Sequence, residues 1–443
     1  MGTGNSAKPT LFRRTALQTG AAAGLAAVGL AGCTNNRGTS TDEEPTPEPA
    51  HEEPFELIHW WTAGGEEDAL EALLEGFLES TEYDETDLTE NPAPGGAGSA
   101  LNAAVQSRLV DDDPPSTFQI WPGESLRPFL DSEVFGDLEE IWDTEMESAY
   151  IESVTALARD GGTYVAVPIN IHRLNNLFYN IEVVEDSGVD PHGIDDPVDL
   201  LEAFETVADA GYIPFAHQTQ EAWPTVQLWE TLFIGIAGPD AFHSLLEGDV
   251  ESLEADISES LSLLERYSGS FSPDTSSITW EEANGQVIDG DAAFTHQGDW
   301  AAGHYRAIGL EYGSDWGHVA FPGTDDVYTM VLDSFVMPEP NPTPEMTAAF
   351  LSYCGTADAQ ERFNPPKGSI PPRTDVSTDA FPPFLEDQMQ EFEASSAQPP
   401  TIAHGSGIEP SAKNELEEVF AVFLESWDVD ETTDRILDTL DDE

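Results

Sequence analysis

The chain has 443 residues and a formal net charge of −71, from 86 Asp or Glu against 15 Lys or Arg. Yet 39% of it is hydrophobic, with 22 Phe and 10 Trp, too apolar and too aromatic for a disordered acidic chain. The balance argues against nucleic acid as a partner, because no basic patch can neutralise phosphates, and it disfavours an anionic small-molecule ligand.

The acids run along the whole chain instead of gathering in blocks, so they belong on a folded surface. At molar salt the Debye length falls to roughly 3 Å and the repulsion of such a surface is screened. Lysine is nearly eliminated, surviving only as Lys8, Lys367 and Lys413. Together these features point to a halophilic, archaeon-like host.

The N-terminus reads as an address. Arg13 and Arg14 are followed by a weakly apolar Ala/Gly stretch, Ala21 to Ala31, too short for a span of about 20 apolar residues. Residues 1–32 resemble a Tat-type lipoprotein signal. Leu30, Ala31, Gly32 and Cys33 resemble a lipobox, whose cysteine carries lipid and becomes the mature N-terminus. Residues 33–54 then form an acidic Pro/Thr/Glu tether. With Cys33 lipidated, Cys354 has no disulfide partner and is expected as a buried free thiol.

About 390 residues remain, too many for one compact core. FELIHWW (Phe55 to Trp61) predicts a strand. Leu70, Leu73, Leu74, Phe77 and Leu78 mark one buried face of the helix that follows. After the GGAG stretch (Gly95 to Gly98), Leu101, Val105 and Leu109 mark a second helix. STFQIW (Ser116 to Trp121) predicts another strand, and TYVAVPINIH (Thr163 to His172) a buried one. Helices are expected near 197–210, 226–236, 253–267, 281–288 and 344–354. AAFTHQGDWAAG (Ala292 to Gly303) reads as strand, turn and helix start. Strand and helix alternate, so the class is α/β. HWW, QIW and HQGDW all stand at strand ends, where open α/β sheets bind ligands.

Known catalytic signatures are absent: there is no GxxxxGK[ST] loop, GxSxG elbow, HExxH or EF-hand loop. The histidines lack metal-ligand spacing, and no metal or cofactor is expected. GGAG suits either a close backbone approach or a flexible turn. What recurs instead is an aromatic ring beside a single polar residue at a strand end. Sugars present an apolar C–H face and a rim of hydroxyls, which a Trp ring and carboxylates, amides or a lysine match. Neighbours on a strand point to opposite sides, so one of Trp60 and Trp61 can be core while the other faces a cleft.

Across the mature body, ELIHWWTAGGE, DPPSTFQIW, YVAVPINIHR, GDAAF…GDWA, VAFPGTD, LDSF, FNPPKGSIPPR and IAHG occur in this order. In these segments the chain resembles the glucose/monosaccharide-binding branch of the extracellular solute-binding proteins of ABC importers (family 1). The resemblance implies a two-lobed periplasmic-binding-protein fold, type II-like, with a ligand cleft between lobes joined by three crossing segments. It places the crossings near Pro168, Val319 and Lys367. The lobes are then 55–167 plus 319–366, and 168–318 plus 367–443. Carried over by motif, Trp61 or Trp60 stacks on the sugar, Glu66 accepts a hydroxyl, and Gln119 contributes an amide. Trp121 stands where family members often have Lys or His. Trp223 stacks from the second lobe, while Asp299, Lys367 and His404 bind hydroxyls. Trp280 and Trp300 are second-tier candidates. His172 and Arg173 are expected to be structural anchors of a crossing segment. Pro365, Pro366, Pro371 and Pro372 are expected to hold the chain around Lys367 in stiff, non-helical conformations.

The implied function is a monomeric cell-surface lipoprotein, without catalysis or cofactor. It captures a neutral monosaccharide, glucose foremost, for ABC permease subunits in the membrane. The alternatives are a secreted carbohydrate hydrolase built on a carboxylate pair and a surface adhesion or sensory protein.

Overall fold

The computed structural model describes residues 54–62, 65–93 and 98–441. The signal, Cys33, nearly all of the tether and Gly95 to Ala97 lie outside the described residues.

The described body is α/β and two-lobed, each lobe built on one sheet. The first sheet has strand order Leu88–Pro92, Phe55–His59, Thr117–Ile120, Ser334–Val336, Ala166–Pro168. Its first three strands are parallel, so a helix must carry the chain back between them. Helices Gly65–Ser80 and Ser99–Val110 do so. The expected Leu70, Leu73, Leu74 and Phe77 face is buried. Ser334–Val336 enters from far along the chain and pairs antiparallel with both neighbours, so the first sheet is assembled from distant segments.

The second sheet has the order Trp316–Ala320, Asn176–Asn180, Ala292–Gln297, Ile213–Phe215. Its core gathers Leu177, Phe204, Phe215, Trp229, Leu232, Tyr267 and Phe420. The expected helices appear as Leu200–Ala210, Trp223–Ala237, Glu254–Ser268, Trp280–Ile288 and Pro344–Cys354. Cys354 is free and buried.

Segments passing between the sheets lie side by side. His172–Arg173 pairs antiparallel with Met330–Val331, and Ile171 bridges Ile370. Arg173 is buried and ion-pairs with Glu391. Its guanidinium also bonds Asn175 Oδ1 at 3.1 Å and Val327 O at 3.2 Å, over the ring of Tyr328. It anchors the crossing as the sequence suggested.

Three expectations need correction. Trp316–Ala320 pairs along its full length with Asn176–Asn180, so a boundary at 318/319 would cut a strand; the chain leaves the second sheet after Ala320. Thr163 to His172 is not one strand but three short ones, Thr163–Tyr164, Ala166–Pro168 and His172–Arg173, because the chain leaves the first sheet after Pro168. Pro365 and Pro366 are helical, inside Ala357–Lys367. Proline carries no N–H, so this last turn forgoes the bonds back to the carbonyls of Glu361 and Arg362, and the helix stops one residue after the pair. Gly368, at φ 81°, ends the helix and donates to Asn364 O at 3.0 Å.

Arginines of the described body meet acids, as in Arg108 with Glu56, Arg127 with Glu124, Arg159 with Glu147, Arg173 with Glu391, Arg362 with Asp358 and Arg373 with Asp375, but these pairs leave most of the acidic excess untouched. Surface repulsion at −71 therefore depends on salt. The melting temperature, followed by circular dichroism, should rise steadily from roughly 0.1 M to 3 M KCl as the Debye length shrinks. A flat profile would show that this charge does not oppose folding.

Candidate functional site

Three strands end at one place. Trp60 follows strand Phe55–His59, Trp121 follows Thr117–Ile120, and Asp299 and Trp300 follow Ala292–Gln297. Trp223 opens the second-lobe helix Trp223–Ala237. His404 comes from the loop before helix Pro410–Ser426. Their rings form a chain. Trp60 meets Trp121 edge-on, centroids 5.0 Å apart, and Trp121 meets His404 at 4.9 Å. His404 stacks on Trp300 at 5.5 Å and meets Trp223 edge-on at 5.7 Å. Gly98, at φ 81°, lies against the Trp60 ring, so the last residue of GGAG is a close backbone approach, here to an indole.

Beside the rings runs a buried polar network. Lys367 Nζ donates to Glu66 Oε1 at 3.1 Å and to His172 Nε2 at 2.9 Å, with Asp333 Oδ2 at 3.9 Å. His172 Nδ1 bonds Asp299 Oδ1, and Arg173 N donates to Asp299 Oδ2 at 3.1 Å. Because Nε2 accepts from an ammonium, the imidazole is neutral with its proton on Nδ1, donated to Asp299; the tautomer follows from the network. Asn170 Nδ2 donates to Asp333 Oδ2 at 2.7 Å, and Gln119 Nε2 to Asp333 Oδ1 at 2.8 Å. Gln119 Oε1 accepts from the Trp60 amide at 3.1 Å. One lysine thus sits within reach of two carboxylates and is tied to a third through one imidazole.

The electrostatics follow from burial. It pushes the Asp299 pKa up, against the Arg173 amide and the Lys367 charge. It raises Glu66 as well, with Lys367 opposing and Asp333 and Glu281 reinforcing. Burial works to lower Lys367, but Glu66 and Asp333 outweigh it and the net shift is upward. His172 is held well below its usual range by burial, then by Lys367 and His404. His404 is pushed down to about 3 by burial, with Lys413 next.

The loop carrying His404 touches both lobes. Ser125 Oγ of the first lobe donates to Gly405 O at 2.7 Å, and Glu124 N to Ser406 O at 3.1 Å. From the other side Thr401 N donates to Met330 O of a crossing strand at 3.2 Å.

The structure therefore brings Trp60, Glu66, Trp121, Trp223, Asp299, Trp300, Lys367 and His404 into one neighbourhood. Of the tryptophan pair, Trp60 is the half-buried ring that meets the cluster. Trp61 is turned into the first-lobe core against Phe335 and Phe363, its ring beneath Lys367. Gln119 spends both ends of its amide inside the first lobe. Trp280 is half-buried at the start of its helix and makes no ring contact with the cluster. The Asp299 carboxylate goes to His172 and the Arg173 amide. Sequence reasoning missed Asn170 and Asp333 and read His172 as purely structural. Their segments, PINIHR and LDSF, were recognised as motifs, but nothing in the pattern showed that they converge on one lysine. No group of His, Cys, Asp and Glu among the described residues could hold a metal ion.

Comparison with known proteins agrees with this architecture. A family described as bacterial extracellular solute-binding protein matches residues 84–390. An ABC transporter extracellular-binding protein of Pyrococcus horikoshii is 32% identical over 92% of both chains. The xylose/arabinose-binding protein XacG of Haloferax volcanii is 35% identical, over 86% of this chain and 83% of its own. In fold, the chain is similar to the bacterial solute receptor AcbH, described as preferring β-D-galactopyranose. The TM-score is 0.76 at 15% identity, over 88% of this chain and 97% of that one. A chitin oligosaccharide binding protein is similar at TM-score 0.76 and 17% identity, over 88% and 98%. With a match of this length and relatives this similar, the chain belongs to the bacterial extracellular solute-binding proteins, and several of the proteins it resembles are sugar-binding.

Proposed function

We propose that the protein is a lipid-anchored cell-surface receptor that captures a neutral monosaccharide, D-glucose foremost, and passes it to an ABC permease. The observation that carries the reading is the chain of tryptophans drawn from both lobes beside the Lys367 network. An indole matches the C–H face of a pyranose. Asp299, Glu66 and Lys367 offer charged partners to hydroxyls, each such bond contributing roughly 1.5–3 kcal/mol. Trp60 and Trp121 come from the first lobe, Trp223, Trp300 and His404 from the second, so a sugar among them draws the lobes together. That closure is a shape change a permease can read. The twin arginines and the small residues before Cys33 support export and lipidation.

A hydrolase is the weaker reading. It needs one carboxylate free to act as acid and another as base or nucleophile. Here Glu66, Asp299 and Asp333 are each engaged by Lys367, His172 or an amide. A second sugar class, the aldopentoses, is favoured by the identity to the xylose/arabinose-binding relative. Trp121, standing where family members often carry a polar hydroxyl ligand, fits the same reading, since a pentose lacks the exocyclic hydroxymethyl.

Titration calorimetry of D-glucose, D-galactose, D-xylose, L-arabinose and maltose in molar KCl decides among these. One-to-one binding of a monosaccharide without turnover is expected. Heat from none of them overturns the receptor reading, and release of reducing sugar from maltose would replace it with the enzyme.

Lys367→Met should weaken binding of that sugar at least tenfold, about 1.4 kcal/mol. The methionine fills the same space but cannot donate or neutralise Glu66 and Asp333. Unchanged affinity with native circular dichroism would make Lys367 a structural cation only.

A further inference from the structure

Helix Trp223–Ala237 holds a carboxylate that the site as described does not use. Glu230 is fully buried and meets no cation. Burial pushes its pKa up to about 7, against the hydroxyl of Thr401 and the amides of Ile402 and Ala403. An acid placed so unfavourably calls for a reason. Its oxygens accept from Thr401 Oγ1 at 2.6 Å, Ile402 N at 2.7 Å and Ala403 N at 3.4 Å. These three residues lead directly into His404, the ring that touches Trp121, Trp223 and Trp300. Gly405 follows at φ 72°, a left-handed turn that starts from the residue Glu230 holds indirectly.

Glu230 also shares a helix face with the site. Positions 223, 227 and 230 fall at i, i+4 and i+7, one stripe of the helix. Trp223 meets the His404 ring, Gln227 Nε2 donates to Leu174 O of a crossing segment at 3.3 Å, and Glu230 grips the 401–403 turn.

We propose that Glu230 is a positioning residue of the sugar site: through three hydrogen bonds to the 401–403 turn it presents the His404 ring to the tryptophans, from the same helix face that delivers Trp223. Glutamine can do the same, its carbonyl accepting from the two amides and its NH2 donating to the Thr401 hydroxyl. Leucine cannot. The inference rests on His404 being a sugar contact, and its test separates the two.

D-glucose and D-xylose are titrated calorimetrically into wild type, Glu230→Leu, Glu230→Gln, His404→Ala and the Glu230→Leu/His404→Ala double variant, in molar KCl. Glu230→Leu should weaken whichever sugar binds by at least about tenfold, and Glu230→Gln by less than about threefold. The double variant should be no weaker than His404→Ala by more than about twofold, because both changes act through one ring. Wild-type affinity in Glu230→Leu, or losses that multiply in the double variant, overturns the proposal. Wild-type affinity in His404→Ala overturns the reading of His404 as a contact, and the proposal with it. Should Glu230→Leu fail to fold, Thr401→Val removes one of the three bonds and should cost about threefold in wild type and nothing in His404→Ala; equal losses in both backgrounds overturn it. Tryptophan emission provides a sugar-independent arm. Glu230→Leu should shift the emission and Glu230→Gln should not, and an unshifted Glu230→Leu spectrum also overturns the proposal.

Discussion

The ion pair between Lys367 and Glu66, 3.1 Å long, is the contact on which the arrangement of the cleft depends. Lys367 is only 3% exposed, and an ammonium so deeply buried is tolerable only among acceptors. It has Glu66 and Asp333 from the first lobe and the imidazole of His172 from a crossing segment. The imidazole then commits its other nitrogen to Asp299 of the second lobe. Remove the ammonium and Glu66 and Asp333 lose the cation within reach of both. A lysine therefore sets the tautomer of a histidine and, through it, the place of a carboxylate in the other lobe.

The same logic explains why the rings can stand at a lobe boundary. Trp60 is placed by its backbone amide, held by Gln119, which in turn holds Asp333. Ring position and charge position in the first lobe share one amide. In the second lobe the pairing is between Trp223 and the turn before His404, both governed from helix Trp223–Ala237. Each lobe thus ties its aromatic and polar elements together through shared hydrogen bonds.

Much of this was legible in the sequence. The 3.6-residue spacing of Leu70, Leu73, Leu74 and Phe77 identifies a buried helix face directly, and motifs in a fixed order point to the solute-binding family. What was not legible has a common cause. Asn170, His172 and Asp333 become site residues only because a crossing strand and a strand-end loop, some 160 positions apart in the chain, converge on Lys367, and no local pattern encodes that. The helical Pro365–Pro366 pair was misread because propensity argues against it, whereas the helix begun at Ala357 carries through both prolines and ends at Lys367. Of Trp60 and Trp61, the second is core and the first meets the ring cluster. Which was which depended on register within the sheet. Glu230 was hidden in an apolar run, WPTVQLWETLFIGIA, where a single acid looks like noise unless its partner turn is known.

The two lysines of the folded body clarify how a chain this acidic divides its electrostatics. Lys413 lies 7% exposed, paired to Glu417 at 2.7 Å, and its stem packs against Gly405, next to His404. Lys367 lies instead on Glu66 and His172. Elsewhere the basic residues of the described body are arginines. On the outer surface, charge acts through solvent and is screened by ions over a few Å at high salt. Within the cleft Lys367 is nearly closed off from solvent, so its pairing with Glu66 is screened much less. A compact, flexible-stemmed ammonium suits a site where one donor must reach acceptors in several directions, whereas a planar guanidinium commits to one.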